Sequence, residues 1–354
     1  MKTFPVAFLQ KFSKKNLQNK ICLSPYVVLD VGVGGEIGLC DCRAWLPSRV
    51  GNLFKENIQD ILANEKSVAI RQSISDGTYE YCNEQRCGVL GNNQLIDHDS
   101  IQDPVFRNLI NNPYVFIMPR EIWISGDLTC NLSCPSCRTK VIKNTPEEVD
   151  KLEALGQIIK NNLFSKPSNE SVTLHISSSG EVFASPMLLS FLGAINPNDF
   201  PELRLRLQTN GLLAEKNWYR LGVLEQRVEK ITVSVDAAQK HTYEKLRRGG
   251  KWEDLQHALA WIQQKKNNNQ MEISLRMVVQ QANYQEIVEF YNLAKTFGAD
   301  IVEYARITDW KSYSEHEFRQ VDAFDPNHQE YQLAQAELDK VKHLDGVFLH
   351  GGLA

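Results

Sequence analysis

The stretch EIWISGDLTCNLSCPSC, residues 121–137, decides how the rest of the chain is read. Its first five residues are mostly β-branched and aromatic, the composition of a buried strand. Three cysteines follow within eight positions, Cys130, Cys134 and Cys137, separated by three residues and then by two. Three thiolates on one loop can each bind one iron of a cubane and leave the fourth iron without a protein ligand. A structural zinc site would instead want four ligands, usually as paired CxxC knuckles.

Outward from this stretch, short apolar runs alternate with longer helical patterns. Further strands are expected at 172–177 (VTLHIS), 203–209 (LRLRLQT), 230–236 (KITVSVD), 272–279 (EISLRMVV) and 300–307 (DIVEYARI). Segments such as WEDLQHALAWIQQKK carry helical periodicity between them. Six strand and helix alternations imply an α/β fold whose parallel sheet opens flat or curls into a full or partial barrel. In either form chemistry collects at the C-terminal strand ends. The special residues fall there: Cys130 after the first strand, Ser178 to Glu181 after the second, Asn210 and Gly211 after the third, and Asp236 ending the fourth.

Residues 1–95 read differently. Their runs are short and glycine-punctuated, and they hold Cys22, Cys40, Cys42, Cys82 and Cys87. We read them as a small cysteine-rich α+β domain, 96–118 as a linker, 119–310 as the core and 311–354 as a helical extension. Eight cysteines at short spacings in a chain of 354 residues point to metal or redox cofactors rather than disulfides, because the lysine-rich start has too short an apolar stretch for a secretory signal. A net charge of −4 gives no support for a nucleic-acid partner, and no apolar run approaches the length of a membrane span. The expectation is a cytoplasmic protein. The histidines form no H-x-x-H or H-E-x-x-H pair, and no Walker-type loop is present.

CNLSCPSC resembles the CxxxCxxC hallmark of the radical S-adenosylmethionine (SAM) superfamily, which follows the first strand of a partial (β/α)6 barrel. The resemblance implies a [4Fe-4S] cluster on Cys130, Cys134 and Cys137, its open iron chelated by the amino and carboxylate groups of SAM. It further implies electron transfer to the SAM sulfonium, giving methionine and a 5′-deoxyadenosyl radical that abstracts a substrate hydrogen. SSSGE at 177–181 stands where that family carries its GGE motif, which would set Gly180 and Glu181 at the methionine amino group. QTNG at 208–211 matches the frequent TNG and adds Asn210. Ser234 and Asp236 match positions that meet the ribose hydroxyls, and Arg276 is the candidate partner of the methionine carboxylate. Two departures stand out: Ser136 replaces the usual aromatic residue before the last cysteine, and serine replaces the first glycine of GGE.

Cys22, Gly35 and Cys40 stand at a spacing similar to the CX9-15GX4C signature of SPASM and twitch domains, which carry auxiliary iron–sulfur clusters. Here the domain precedes the barrel, whereas in those proteins it usually follows. The resemblance implies one auxiliary [4Fe-4S] cluster on Cys22, Cys40, Cys82 and Cys87, since five cysteines suffice for only one. A zinc ion on four thiolates is the competing assignment. Cys42, two residues from Cys40 and on the same side if the segment is extended, leaves three roles open: replacement ligand, hydrogen-atom donor or packed free thiol. The expected activity is radical oxidation, crosslinking or epimerisation at an unactivated C–H bond of a peptide, with a flavodoxin or ferredoxin as reductant. A sugar-like small molecule is the alternative substrate, and a non-catalytic, zinc-stapled interaction protein the alternative class. Since the cysteine domain begins near residue 22, no winged-helix leader-recognition module is expected ahead of it.

Overall fold

A computed structural model describes residues 11–12, 16–91, 93–177, 179–269 and 271–353. Most of the lysine-rich start, together with Asn92 and Ser178, lies outside the described residues. The strands are β1 (Lys20–Ile21), β2 (Val28–Val31), β3 (Glu36–Gly38), β4 (Gly51–Asn52), β5 (Ile96–Asp97), β6 (Glu121–Ile124), β7 (Val172–Ser177), β8 (Leu203–Thr209), β9 (Val228–Ser234), β10 (Glu272–Val279), β11 (Ile301–Arg306) and β12 (Val347–His350). The six expected barrel strands are all present as β6 to β11, adjacent in sequence order and parallel throughout. Their outer faces are largely apolar: Leu205 and Leu207 of β8, and Leu275, Met277 and Val279 of β10, join one core with residues of the crossover helices such as Ile159, Phe191, Leu259 and Phe290.

Both edges of this barrel sheet carry strands that local patterns do not show. β2 pairs parallel with β6, placing Asp30 beside Trp123, and β3 and β4 continue outward as an antiparallel meander. At the other end β12 pairs parallel with β11. The result is one ten-stranded sheet whose ends are β12 and β4, so the barrel stays open. The segment 311–354, expected to be helical, therefore supplies a strand after its helix Tyr331–Asp339. The region expected as a linker is also built: β5 pairs with β1, and the helix Pro104–Asn111 buries Leu109 and Ile110 against Ile21, Tyr26, Ile74 and Tyr79. Buried Arg71 ties these parts together, donating from Nε to the Pro113 carbonyl at 2.8 Å and from Nη2 to the Leu62 carbonyl at 2.8 Å.

GVGGEIG, residues 32–38, turns the chain from β2 into β3 as a hairpin. Gly35 turns it with a φ of 78°, and a Cβ there would come within 2.5 Å of the Phe54 ring. Both the backbone and the space exclude a side chain at that position.

The inner face of the sheet is polar. On β8 the alternation leaves Arg204, Arg206 and Gln208 on the side opposite the buried leucines. A register shift opposite Leu205 and Arg206 inserts Glu229 as an extra residue in β9, and the bulge lets Glu229 meet both Arg204 and Arg206. Farther along, His175 stacks on Trp123 with ring centroids 3.9 Å apart and meets Glu121 at 2.5 Å.

Candidate functional site

The loop after β6 is fixed from several directions before its cysteines are considered. Asp127, buried, accepts from its own loop at Thr129 N (2.7 Å) and from Ser185 Oγ (2.6 Å) beyond β7. Thr129 in turn accepts Glu181 N–H at 2.8 Å through its carbonyl. Gly180 makes this approach possible, since a Cβ there would lie 2.3 Å from the Thr129 carbonyl oxygen and 2.7 Å from that of Asp127. Cys130 and Cys134 are buried beside Leu132 and Leu212, whereas Cys137 is exposed. A turn closes the loop, with Cys137 N donating to the Cys134 carbonyl at 2.9 Å.

Glu181 does more than expected of it. Its carboxylate is 1 % exposed and accepts Asn210 N at 2.7 Å, Phe183 N at 3.2 Å and the Thr209 hydroxyl. Three of the roughly four acceptor positions of a carboxylate are thus filled by the chain itself. Burial raises its pKa, and the hydrogen bonds from Thr209, Asn210 and Phe183 oppose that rise. Asn210 reaches the cysteine loop, donating from Nδ2 to Asn131 Oδ1 at 2.9 Å. Glu181, Asn210 and the cysteine loop are therefore one connected unit.

Ser234 and Arg276 lie deeper, joined through Gln208, whose Nε2 donates to Ser234 Oγ at 3.4 Å and whose Oε1 accepts from Arg276 Nη1 at 3.2 Å. The Arg276 guanidinium forks onto Glu303, with Nε 2.7 Å from Oε2. A ligand carboxylate at Arg276 would compete with Glu303. Asp236 is likewise occupied: Oδ1 accepts Val278 N at 2.8 Å and Oδ2 pairs with Arg247 at 2.9 Å. A ribose at Asp236 would have to share that carboxylate.

Three arginines that no motif singled out grip the cysteine loop. Arg138 spans from the Leu128 carbonyl, at 2.6 Å, to Cys137 Sγ, at 3.4 Å. Arg248 binds Ser133 Oγ at 3.1 Å and the Thr139 carbonyl at 3.2 Å, and its own carbonyl accepts Ser133 N at 3.0 Å. Arg247 approaches Cys134. The signal available in the sequence was the doublet in KLRRGG at 245–250, placed after a strand end that already carried Asp236.

Burial pushes the Cys130 thiol up to about 11 against the Leu132 N–H and Arg138, and raises Cys134 against Arg247. A coordinated metal would deprotonate such thiols outright, and soft thiolates are the donors an iron–sulfur cluster uses. The donor set fits the cluster chemistry.

A second gathering of sulfur lies in the N-terminal part. Cys22, Cys40, Cys82 and Cys87 line one cavity, whose other walls are largely apolar, among them Pro25, Leu46 and Leu90. Cys42 does not line it: its segment bends after Cys40 rather than running extended, and its carbonyl accepts the N–H groups of Trp45 and Leu46. Burial raises the pKa of each of the four lining thiols. Among the described residues no three His, Cys, Asp or Glu side chains converge at the spacing of a single metal ion; these four ring a hollow instead.

The strand-end loop and its partners define a class, and comparison agrees. Residues 128–294, a little under half of the chain, match the family model described as Radical SAM superfamily. A domain of that description implies a [4Fe-4S] cluster and SAM. Among solved structures the chain is similar to anSMEcpe with bound AdoMet, at 17 % identity and a TM-score of 0.37, covering 53 % of this chain and 50 % of that one. It is similar to Streptococcus suis SuiB bound to S-adenosylmethionine, at 14 % identity and a TM-score of 0.41, covering 72 % and 54 %. It is also similar to SuiB bound to the precursor peptide SuiA, at 12 % identity and a TM-score of 0.41, covering 96 % and 73 %. In the first of these matches the chain spans about half the length of the other protein. No curated protein matches the sequence. Among the described residues no helix is long and apolar enough to cross a membrane.

Proposed function

We propose that this radical SAM enzyme holds its SAM-binding cluster on Cys130, Cys134 and Cys137 and a second, auxiliary [4Fe-4S] cluster on Cys22, Cys40, Cys82 and Cys87. The observation that carries the second part is the common cavity of those four cysteines, brought together from positions up to 65 residues apart (22 to 87) with Cys42 left out. The bound cluster and SAM would supply a 5′-deoxyadenosyl radical that removes a substrate hydrogen. The chain's own part is to orient and enclose. Gly180 and Glu181 hold the second strand end against the cysteine loop, Asn210 tethers the third, and Ser234, Gln208 and Arg276 form the polar floor beneath.

The reaction we infer is an oxidation, crosslinking or epimerisation at an unactivated C–H bond of a peptide, with the auxiliary cluster as electron acceptor or substrate anchor. Support comes from the inner face, where Arg204, Arg206, Glu229, Trp123 and His175 give the open sheet charged and ring side chains, which suit a polar substrate more than an apolar one. A sugar-like substrate is the second reading, favoured by the same hydrogen-bonding side chains. We infer a flavodoxin or ferredoxin as the source of the electron.

Anaerobic reconstitution followed by iron, sulfide and zinc counting tests the cluster assignment. Two cubanes predict about eight irons per chain, falling to about four when Cys22, Cys40, Cys82 and Cys87 are changed to Ala. Stoichiometric zinc with four irons in the wild type would replace the auxiliary cluster by a zinc site.

A further inference from the structure

The buried side of the cysteine loop faces a fixed charge. The helix Lys240–Leu246 ends at Arg247, whose N–H donates to the Tyr243 carbonyl at 2.7 Å. The Arg247 side chain, 12 % exposed, runs between the fourth strand end and the loop: Nη2 lies 2.9 Å from Asp236 Oδ2, and Nη1 lies 3.8 Å from Cys134 Sγ. Its Nε has no partner among the described residues, and neither does the buried hydroxyl of Tyr243 one turn earlier.

A pairing that served only to staple two loops would be expected to satisfy its donors or to leave them in water, because an idle buried donor carries a desolvation cost. A guanidinium also stays charged at any working pH. Asp236 holds it from a left-handed backbone, φ 66°, a conformation that aspartate and asparagine adopt more readily than other residues with side chains. The guanidinium thus reaches Asp236 through Nη2 and the Cys134 sulfur through Nη1.

We propose that Arg247 is a positioning residue of the SAM-binding cluster, orienting the Cys134 sulfur and raising the cluster's reduction potential, with Asp236 moderating that effect. The inference rests on the assignment of Cys130, Cys134 and Cys137 as ligands. Its physical basis is direct: reduction adds negative charge to the cluster, a buried cation beside a ligating sulfur favours the reduced form, and a buried anion disfavours it. Local charge and hydrogen bonds to the sulfurs are among the determinants of such potentials. Arg247 and Asp236 must therefore act with opposite signs.

The test is a redox titration of the reconstituted full chain followed by electron paramagnetic resonance. The SAM-binding cluster is identified as the signal that changes when SAM is added. Arg247→Gln removes the charge and keeps a polar side chain of similar reach. It is expected to lower the midpoint, so that at fixed potential the ratio of reduced to oxidised cluster falls about tenfold, equivalent to about 59 mV for one electron. Asp236→Asn is expected to raise the midpoint; asparagine tolerates the left-handed backbone and keeps an acceptor for Val278 N–H. Arg247→Lys, which keeps the charge, is expected to stay near the wild type. Should Arg247→Gln fail to load iron, the other two variants carry the test, and an Asp236→Asn midpoint that is unchanged or lower overturns the inference. Loaded variants that all titrate with the wild type also overturn it while leaving the cluster assignment intact. A wild type that takes up no iron overturns the assignment itself.

Discussion

Gly180→Ala tests whether the GGE-like turn serves the cysteine loop by leaving room for it. The Cβ added there would lie 2.3 Å from the Thr129 carbonyl oxygen, 2.7 Å from that of Asp127 and 3.0 Å from the Leu128 carbonyl carbon. All three are main-chain atoms, so no side chain can rotate away. A carbon and an oxygen need a little over 3 Å, and one backbone or the other must move by about 1 Å, a strain of the kind that costs about 1–3 kcal/mol in a packed region. The segment most free to yield is the loop carrying Cys130, because β7 is held by ladder bonds on both sides. The expected result is a fall of a few degrees in Tm together with loss of most of the iron bound by the cysteine loop, while the iron proposed to sit on Cys22, Cys40, Cys82 and Cys87 stays near its wild-type content. The assays are calorimetry of the metal-free chain and iron counting after anaerobic reconstitution. Wild-type Tm together with a full iron complement in Gly180→Ala would refute the reasoning.

Two further substitutions probe the same neighbourhood. Glu181→Gln must leave one backbone N–H unpaired whichever way the amide turns, since one oxygen serves Phe183 N and the other Asn210 N; urea unfolding should show a loss of about 1–3 kcal/mol, and wild-type stability would contradict the observed bonding. Glu303 gives a pH test. Burial would raise its pKa, but His350, Arg276 and Ser274 together hold it below the usual carboxylate range. A depressed folded pKa contributes stability that is present above the unfolded value of about 4.3 and is lost as pH falls below it. Between pH 6 and pH 3.5 the wild type should therefore lose about 1 kcal/mol more than Glu303→Gln; parallel losses would show that the network does not favour the charged form.

The six barrel strands were legible because each alternates or runs apolar within its own few residues; β7, β8 and β10 match the expected bounds to the residue. What the sequence hid was pairing at a distance. β2 joins β6 across about ninety residues, and nothing in Val28–Val31 shows whether its neighbour is the adjacent hairpin strand alone or the barrel as well. β12 was missed because four residues at the end of a helical stretch are too few to show a period. Within the region read as a linker, Pro104 starts the helix Pro104–Asn111, since proline at the first helical position favours a helix start.

The candidate site divides in the same way. Motif spacing brought out the cysteine loop, Gly180, Glu181 and Asn210, which the structure joins through hydrogen bonds. Arg138, Arg247 and Arg248 carry no motif, and their relation to the loop exists only once the helix Lys240–Leu246 is laid beside it. For Asp236 and Arg276 the residue types pointed to a ligand, while their protein partners, Arg247 and Glu303, became visible only in three dimensions.

The central claim is that the three-cysteine loop generates a radical from SAM. Reconstituted protein, incubated anaerobically with SAM and dithionite, should release 5′-deoxyadenosine and methionine in equal amounts, and the chain with Cys130, Cys134 and Cys137 changed to Ala should release neither. A wild type that carries its iron yet leaves SAM intact, or a triple variant that cleaves it as well, would contradict the account.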